Sequence, residues 1–254
     1  MTMRVGFVGA GRMGRPMVER LVGAGHEVRA LGRTAEARAA LAGIGARPAA
    51  TLAAAVADAE AVIVCVFTDA QVREIAPGLP PRVPVVVHTT GSPSTVEELA
   101  GRGLPVIDAP VSGGPHDIAA GRLTVFLGGP GELADRVEPL IACYADPVLR
   151  VGPLGSGQRV KLVNNALFAA QIGLLAEAVR LGERLGVTEE VLLRALPHAS
   201  SASRALTGVA ARGSVAAFAA TAGPFVGKDV RIAREVAAET GGGLGALDPL
   251  LGEG

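Results

Sequence analysis

Residues 5–14 read VGFVGAGRMG. An apolar, β-branched run gives way to Gly9, Gly11 and Gly14 in G-x-G-x-x-G spacing, and RMGRPMVERLVGAG (12–25) follows with helical patterning. A strand that turns sharply into a helix explains each glycine. The first permits the tight turn, the second lets the backbone approach a pyrophosphate, and the third lets helix and strand pack closely. The helix N-terminus then faces the anion. A glycine turn without a ligand is the bland alternative, but it requires neither the helix behind the loop nor the second strand, EVRAL (27–31), that comes next. Gly9, Ala10, Gly11, Arg12, Met13 and Gly14 are therefore the first candidate binding residues.

The second strand supports a finer reading. An acidic residue at its tip would bind the ribose 2′-hydroxyl of NAD. The tip instead reads Gly32-Arg33-Thr34, a guanidinium and a hydroxyl suited to a 2′-phosphate. The alternative is a solvent-facing arginine in a loop. The expectation is NADP, as NADPH in the reducing direction.

Outward from this loop the pattern repeats. Runs at 4–8, 27–31, 61–67, 83–88, 104–109 and 123–128 read as strands, with Ala- and Leu-rich helical segments between most of them. Continuous apolar strands alternating with helices predict an α/β domain with a parallel sheet covered on both faces. Beyond about residue 153 the strand signal ends. Helical patterns run from Gly157 to about Leu185, from Thr188 to Leu196 and from Lys228 to Thr240. The expected organisation is a Rossmann-type dinucleotide-binding domain, 1–154, and an all-α domain, 155–254.

Composition narrows the partners. The chain has 254 residues, 49% of hydrophobic type, and formal net charge zero. It carries no electrostatic footprint for nucleic acid or an anionic membrane. Its four scattered histidines and two cysteines have no metal-ligand spacing, and no metal is expected. Cys65 and Cys143 read as buried free thiols in a reducing compartment, so the expected location is cytoplasmic.

The stretch GSGQRVKLVNN (155–165) opens the longest helical pattern. Lys161 and Asn165 lie at i and i+4 and share a face, with Asn164 beside them. A surface lysine near a helix start is the bland reading. Against it, a cation in an early turn opposes the helix dipole, and the polar trio interrupts an apolar helix at one place. Desolvation lowers a lysine pKa toward the range useful for proton transfer. The apolar helix also suggests burial against a second subunit, giving a homodimer or a higher homo-oligomer.

Four motifs together resemble the β-hydroxyacid dehydrogenase family, whose namesake is 3-hydroxyisobutyrate dehydrogenase. They are GFVGAGRMGRPM (6–17), DAPVSGGPHDIAAGRLTVFLGG (108–129), GSGQRVKLVNN (155–165) and GPFVGKD (223–229). The resemblance implies hydride transfer between a nicotinamide and a small carboxylated β-hydroxy acid or semialdehyde. It makes Lys161 the general acid/base and assigns the substrate to Ser112, Gly113, Gly114 and Asn165. It adds Phe67, Thr68, Thr90 and Lys228 to the cofactor residues already named, and Arg33 and Thr34 keep the place given them above. The chain departs from the family at Val87-His88, where an acidic residue often precedes the Ser-Thr pair, at Pro115-His116, and in a short C-terminus. Competing readings are a 6-phosphogluconate dehydrogenase-like enzyme, an imine reductase, and an NADP-binding sensor or scaffold without turnover. Asn164 in place of a histidine weighs against the first, and Lys161 against the second.

Overall fold

The computed structural model describes residues 2–251. The chain divides into two compact units between Lys161 and Leu162. In the first, chain order is β1 (Arg4–Val8), α1 (Gly14–Gly23), β2 (Glu27–Leu31), α2 (Ala35–Gly43), β3 (Arg47–Ala49), α3 (Leu52–Val56), β4 (Ala61–Val64), α4 (Asp69–Ile75), β5 (Val85–Val87), α5 (Pro93–Gly101), β6 (Val106–Asp108), β7 (Val111–Ser112), α6 (Pro115–Ala119), β8 (Leu123–Gly128), α7 (Gly131–Ile141) and β9 (Ala145–Gly152). The sheet order is β3-β2-β1-β4-β5-β6-β8-β7, with β9 paired to β8.

The six strands from β3 to β6 are parallel. The expectation of parallel pairing fails at the far edge, where β8 runs antiparallel to β6 and to β7. The link from Asp108 to Leu123 spends part of its length on β7, which itself pairs antiparallel with β8, so the chain turns back at this edge instead of crossing over the sheet. Chain order reverses between β1 and β4, so the crevice at their carboxyl ends is the topological switch point where ligands bind open α/β sheets.

Both faces of the sheet are covered. On one, α1 places Met17, Val18 and Leu21 at helical spacing against Val5, Phe7 and Ile63. On the other, Val72 of α4 and Val96 and Leu99 of α5 close over Val8, Val62, Val64 and Val85. Side chains this deeply buried each contribute about 1.5–3 kcal/mol relative to exposure.

The second unit is helical. It holds most of α8 (Ser156–Arg184), then α9 (Glu189–Ala195), α10 (Arg204–Arg212) and α11 (Val215–Glu239). Leu162 packs on Ile232 and Ala233, while Leu193, Leu206 and Val209 form a second small core. The Phe168 and Phe218 rings meet edge to face, with centroids 6.2 Å apart. By length and composition alone α8 could cross a membrane. Its large exposed side chains include Val163, Leu167, Leu174 and Leu181.

Candidate active site

The glycines of the first loop divide by role. Gly9 has φ +99°, and a Cβ there would lie 2.2 Å from the Cys65 carbonyl oxygen. A Cβ on Gly14 would lie 2.2 Å from the Gly9 carbonyl oxygen and 2.8 Å from the Phe7 ring. The fold itself excludes side chains at both positions. At Gly11 a Cβ would meet nothing within 4 Å. The protein leaves that space open, and a pyrophosphate requires it. The first turn of α1 has no acidic residue, and Met13 makes no side-chain cap bond, so the positive end of the helix faces the loop. Arg12 and Arg15 are exposed beside it, while Ala10 and Met13 are half-buried. These residues fit a dinucleotide.

At the end of β2, Arg33 is exposed. The Thr34 hydroxyl caps α2 by accepting from the Ala37 N–H at 3.1 Å. A second guanidinium, which the sequence reading missed, is fixed here: Arg38 Nη1 donates to the Gly32 carbonyl at 3.0 Å. Beyond β4, Phe67 is 49% exposed, an aromatic face at the switch point. Thr68 and Gln71 form a reciprocal capping box that opens α4. Thr89 closes the adjacent loop onto β4, its hydroxyl donating to the Val66 carbonyl at 2.9 Å and accepting from the Val66 N–H at 3.1 Å. Thr90 follows in that loop, half-buried.

The Ser112-Gly113-Gly114 turn lies between β7 and α6. Gly113 has φ +132°, which explains the glycine. The Gly114 N–H is already committed, donating to Asp117 Oδ2 at 2.8 Å. The Ser112 hydroxyl and the Gly113 N–H are the other donors of this turn. Asp117, which the sequence reading passed over, is buried, and His116 Nε2 lies 3.3 Å from its Oδ2.

The start of α8 is held from below. Asp108, the last residue of β6, is fully buried. Its two carboxylate oxygens accept the Gly155 and Gln158 N–H groups, each at 2.8 Å. Burial pushes its pKa up, and these backbone donors pull it back. Gln158 reaches the loop after β5, accepting from the Gly91 N–H at 3.0 Å and donating to the Thr89 carbonyl at 2.8 Å. One turn on, Lys161 is 8% exposed, which removes the surface-lysine reading. The sequence signal for Asp108 and Gln158 was present: each is a polar residue interrupting an apolar or glycine-rich stretch.

In the helical unit, Asn164 Nδ2 donates to Asn165 Oδ1 at 2.9 Å, and Asn165 Nδ2 donates to Asp229 Oδ2. Lys228 Nζ lies 2.7 Å from Asp229 Oδ1. Asn165 and Asp229 are both buried. Asp229 is thus the acceptor that fixes the amide of Asn165, a partner that only the fold reveals.

Residues 4–152 match the model for the NAD-binding domain of 6-phosphogluconate dehydrogenase. Residues 155–247 match the model described as NAD-binding of NADP-dependent 3-hydroxyisobutyrate dehydrogenase. The chain is 32% identical over 218 residues to the NAD-dependent L-serine dehydrogenase of Pseudomonas aeruginosa, covering 80% of this chain and 72% of that one. It is 32% identical over 204 residues to a probable 3-hydroxyisobutyrate dehydrogenase of Mycobacterium bovis, covering 77% and 69%. The solved structure of Mycobacterium tuberculosis 3-hydroxyisobutyrate dehydrogenase with L-serine superposes with a TM-score of 0.86 at 28% identity, covering 99% of this chain and 92% of that one. A nicotinamide cofactor, a small-molecule substrate and oxidoreduction of a CH–OH group follow from these matches together with the dinucleotide loop. The chain belongs to the β-hydroxyacid dehydrogenase family.

Proposed function

We propose that the chain is an NADP-dependent dehydrogenase of short carboxylated β-hydroxy acids, or a reductase of the matching semialdehydes, with Lys161 as general acid/base. The observation that carries this reading is a buried lysine one helical turn from Asn165, on a helix whose first turn is pinned by Asp108 and Gln158. A lysine so held can give a proton to a forming alkoxide, or take one from a hydroxyl, at a fixed place. The nicotinamide, when bound, supplies or accepts the hydride. Ser112 and Gly113 receive the substrate carboxylate, with Gly114 shaping the turn rather than donating. Asn165, held by Asp229, orients the substrate. Gly9 to Gly14 cradle the pyrophosphate, and Phe67, Thr68, Thr90 and Lys228 complete the cofactor site.

NADP preference is supported by Arg33, by Arg38 close behind it, and by the lack of a carboxylate at Gly32-Arg33-Thr34. The exposed leucines of α8 support a homodimer. The test is steady-state turnover of 3-hydroxyisobutyrate, L-serine and a C2–C6 semialdehyde series with each cofactor, alongside methyl esters of the same acids. A lost charge-assisted contact of about 1.5–3 kcal/mol corresponds to roughly 10–150-fold, so esters and NAD(H) each lose that much in kcat/KM. Esters performing as well as acids contradict the Ser112–Gly113 role, and equal use of NADH contradicts the Arg33 role.

A further inference from the structure

Gln158 has no part in the contacts assigned to substrate or cofactor, yet it is 1% exposed and spends both ends of its amide. Its two partners, Thr89 and Gly91, bracket Thr90. Thr89 is bonded in turn to both backbone groups of Val66, which precedes Phe67 and Thr68. The Gln158 N–H is meanwhile fixed on Asp108. Lys161 follows Gln158 by three residues, so the two lie on neighbouring turns of one helix face. A continuous set of hydrogen bonds therefore runs from the loop after β4, through the loop after β5, to the first turn of α8. A buried amide is costly unless fully satisfied, and an apolar side chain of equal length would fill the same volume without that demand.

We infer that Gln158 is a positioning residue: it holds the first turn of α8, and with it Lys161, in register with the two loops proposed to hold the cofactor. This rests on the reading of Lys161 as acid/base. A proton donor displaced by about 1 Å loses on the order of 10²-fold in rate, whereas loss of packing alone lowers stability and leaves the turnover of folded protein intact.

The experiment pairs Gln158→Met, which keeps the bulk and removes both bonds, with Lys161→Met in a double-mutant cycle, and adds amide hydrogen exchange on the cofactor-free protein. Exchange is expected to rise roughly tenfold together at residues 89–91 and 156–161 in Gln158→Met. At saturating cofactor and 3-hydroxyisobutyrate or L-serine, whichever turns over faster, Gln158→Met lowers kcat roughly 10–100-fold per folded site with KM for cofactor changed less than about threefold, and this loss shrinks to under about threefold in the Lys161→Met background. Unchanged exchange at 89–91, or an equal loss in both backgrounds when Lys161→Met is itself impaired, overturns the inference alone. Wild-type turnover by Lys161→Met overturns the acid/base reading and the inference with it. If Gln158→Met does not fold, Gln158→Glu keeps the acceptor for Gly91 and regains a donor for Thr89 only when protonated. Its kcat relative to wild type then climbs as pH falls from about 8 to about 6, and a flat ratio overturns the inference.

Discussion

His88 shows how much one residue can decide. It stands where the family often has an acidic residue near the Ser-Thr pair, and it is buried. Its Nδ1–H donates to the Ala109 carbonyl at 2.5 Å, so its Nε2 accepts from the Tyr144 hydroxyl at 2.8 Å. Burial lowers its pKa from 6.5 to about 4 and also raises that of Tyr144. The unfolded chain therefore takes up a proton near pH 6.5 that the folded protein refuses until about pH 4. Stability is full above the upper value and falls as pH drops through this window, by about 3 kcal/mol in total. Urea unfolding between these pH values should show that slope in the wild type, and His88→Gln should flatten it. Equal slopes in both proteins contradict a neutral buried His88. The loop glycines were legible from spacing, because steric exclusion at Gly9 and Gly14 acts within one strand–turn–helix unit. The carboxylate that takes the Gly114 N–H and the one that holds Asn165 were not. Asp117 reads as an ordinary helix residue, and Asp229 acts on a residue 64 positions away.

At the scale of elements, the central strands and the long helix were legible because their apolar periods are strong. The strands proposed at 61–67, 83–88 and 104–109 are shorter than read, ending at Val64, Val87 and Asp108. Their flanking residues keep apolar or β-branched character while turning into the loops of the site. β3, β7 and β9 escaped because none has an apolar run; β9, ADPVLRVG, is mostly exposed. Helix α10 escaped for a like reason, with only Ala205, Leu206 and Val209 buried in a polar, small-residue stretch. Asp108 is the anchor that joins sheet to helix. In Asp108→Asn one carboxylate oxygen becomes a donor facing the Gly155 or Gln158 N–H. Losing a bond to a charged acceptor costs roughly 1.5–3 kcal/mol, about 3–12 °C in Tm for a chain of this size. Calorimetry checks this, and an unchanged Tm contradicts the capping role.

For the whole molecule, the dinucleotide fold and the position of its switch point follow from strand order, and the family follows from motifs spread along the chain. The sequence pattern divides the chain after residue 154, where the strand pattern ends; the first compact unit runs on to Lys161, because Asp108 and Gln158 tie the first turn of α8 to the sheet. Both polar residues stand out in the sequence, but their pairing, 50 positions apart, does not. Lys161 is proposed to move the proton that accompanies hydride transfer. Lys161→Met keeps the stem's bulk and removes the amine, and arginine cannot substitute because a guanidinium keeps its proton. The decisive measurement is single-turnover hydride transfer, followed by nicotinamide absorbance at saturating cofactor and substrate, in wild type and Lys161→Met. The expected result is a fall of about 10²–10⁴-fold with cofactor affinity nearly unchanged, and a change under about threefold contradicts the role of Lys161.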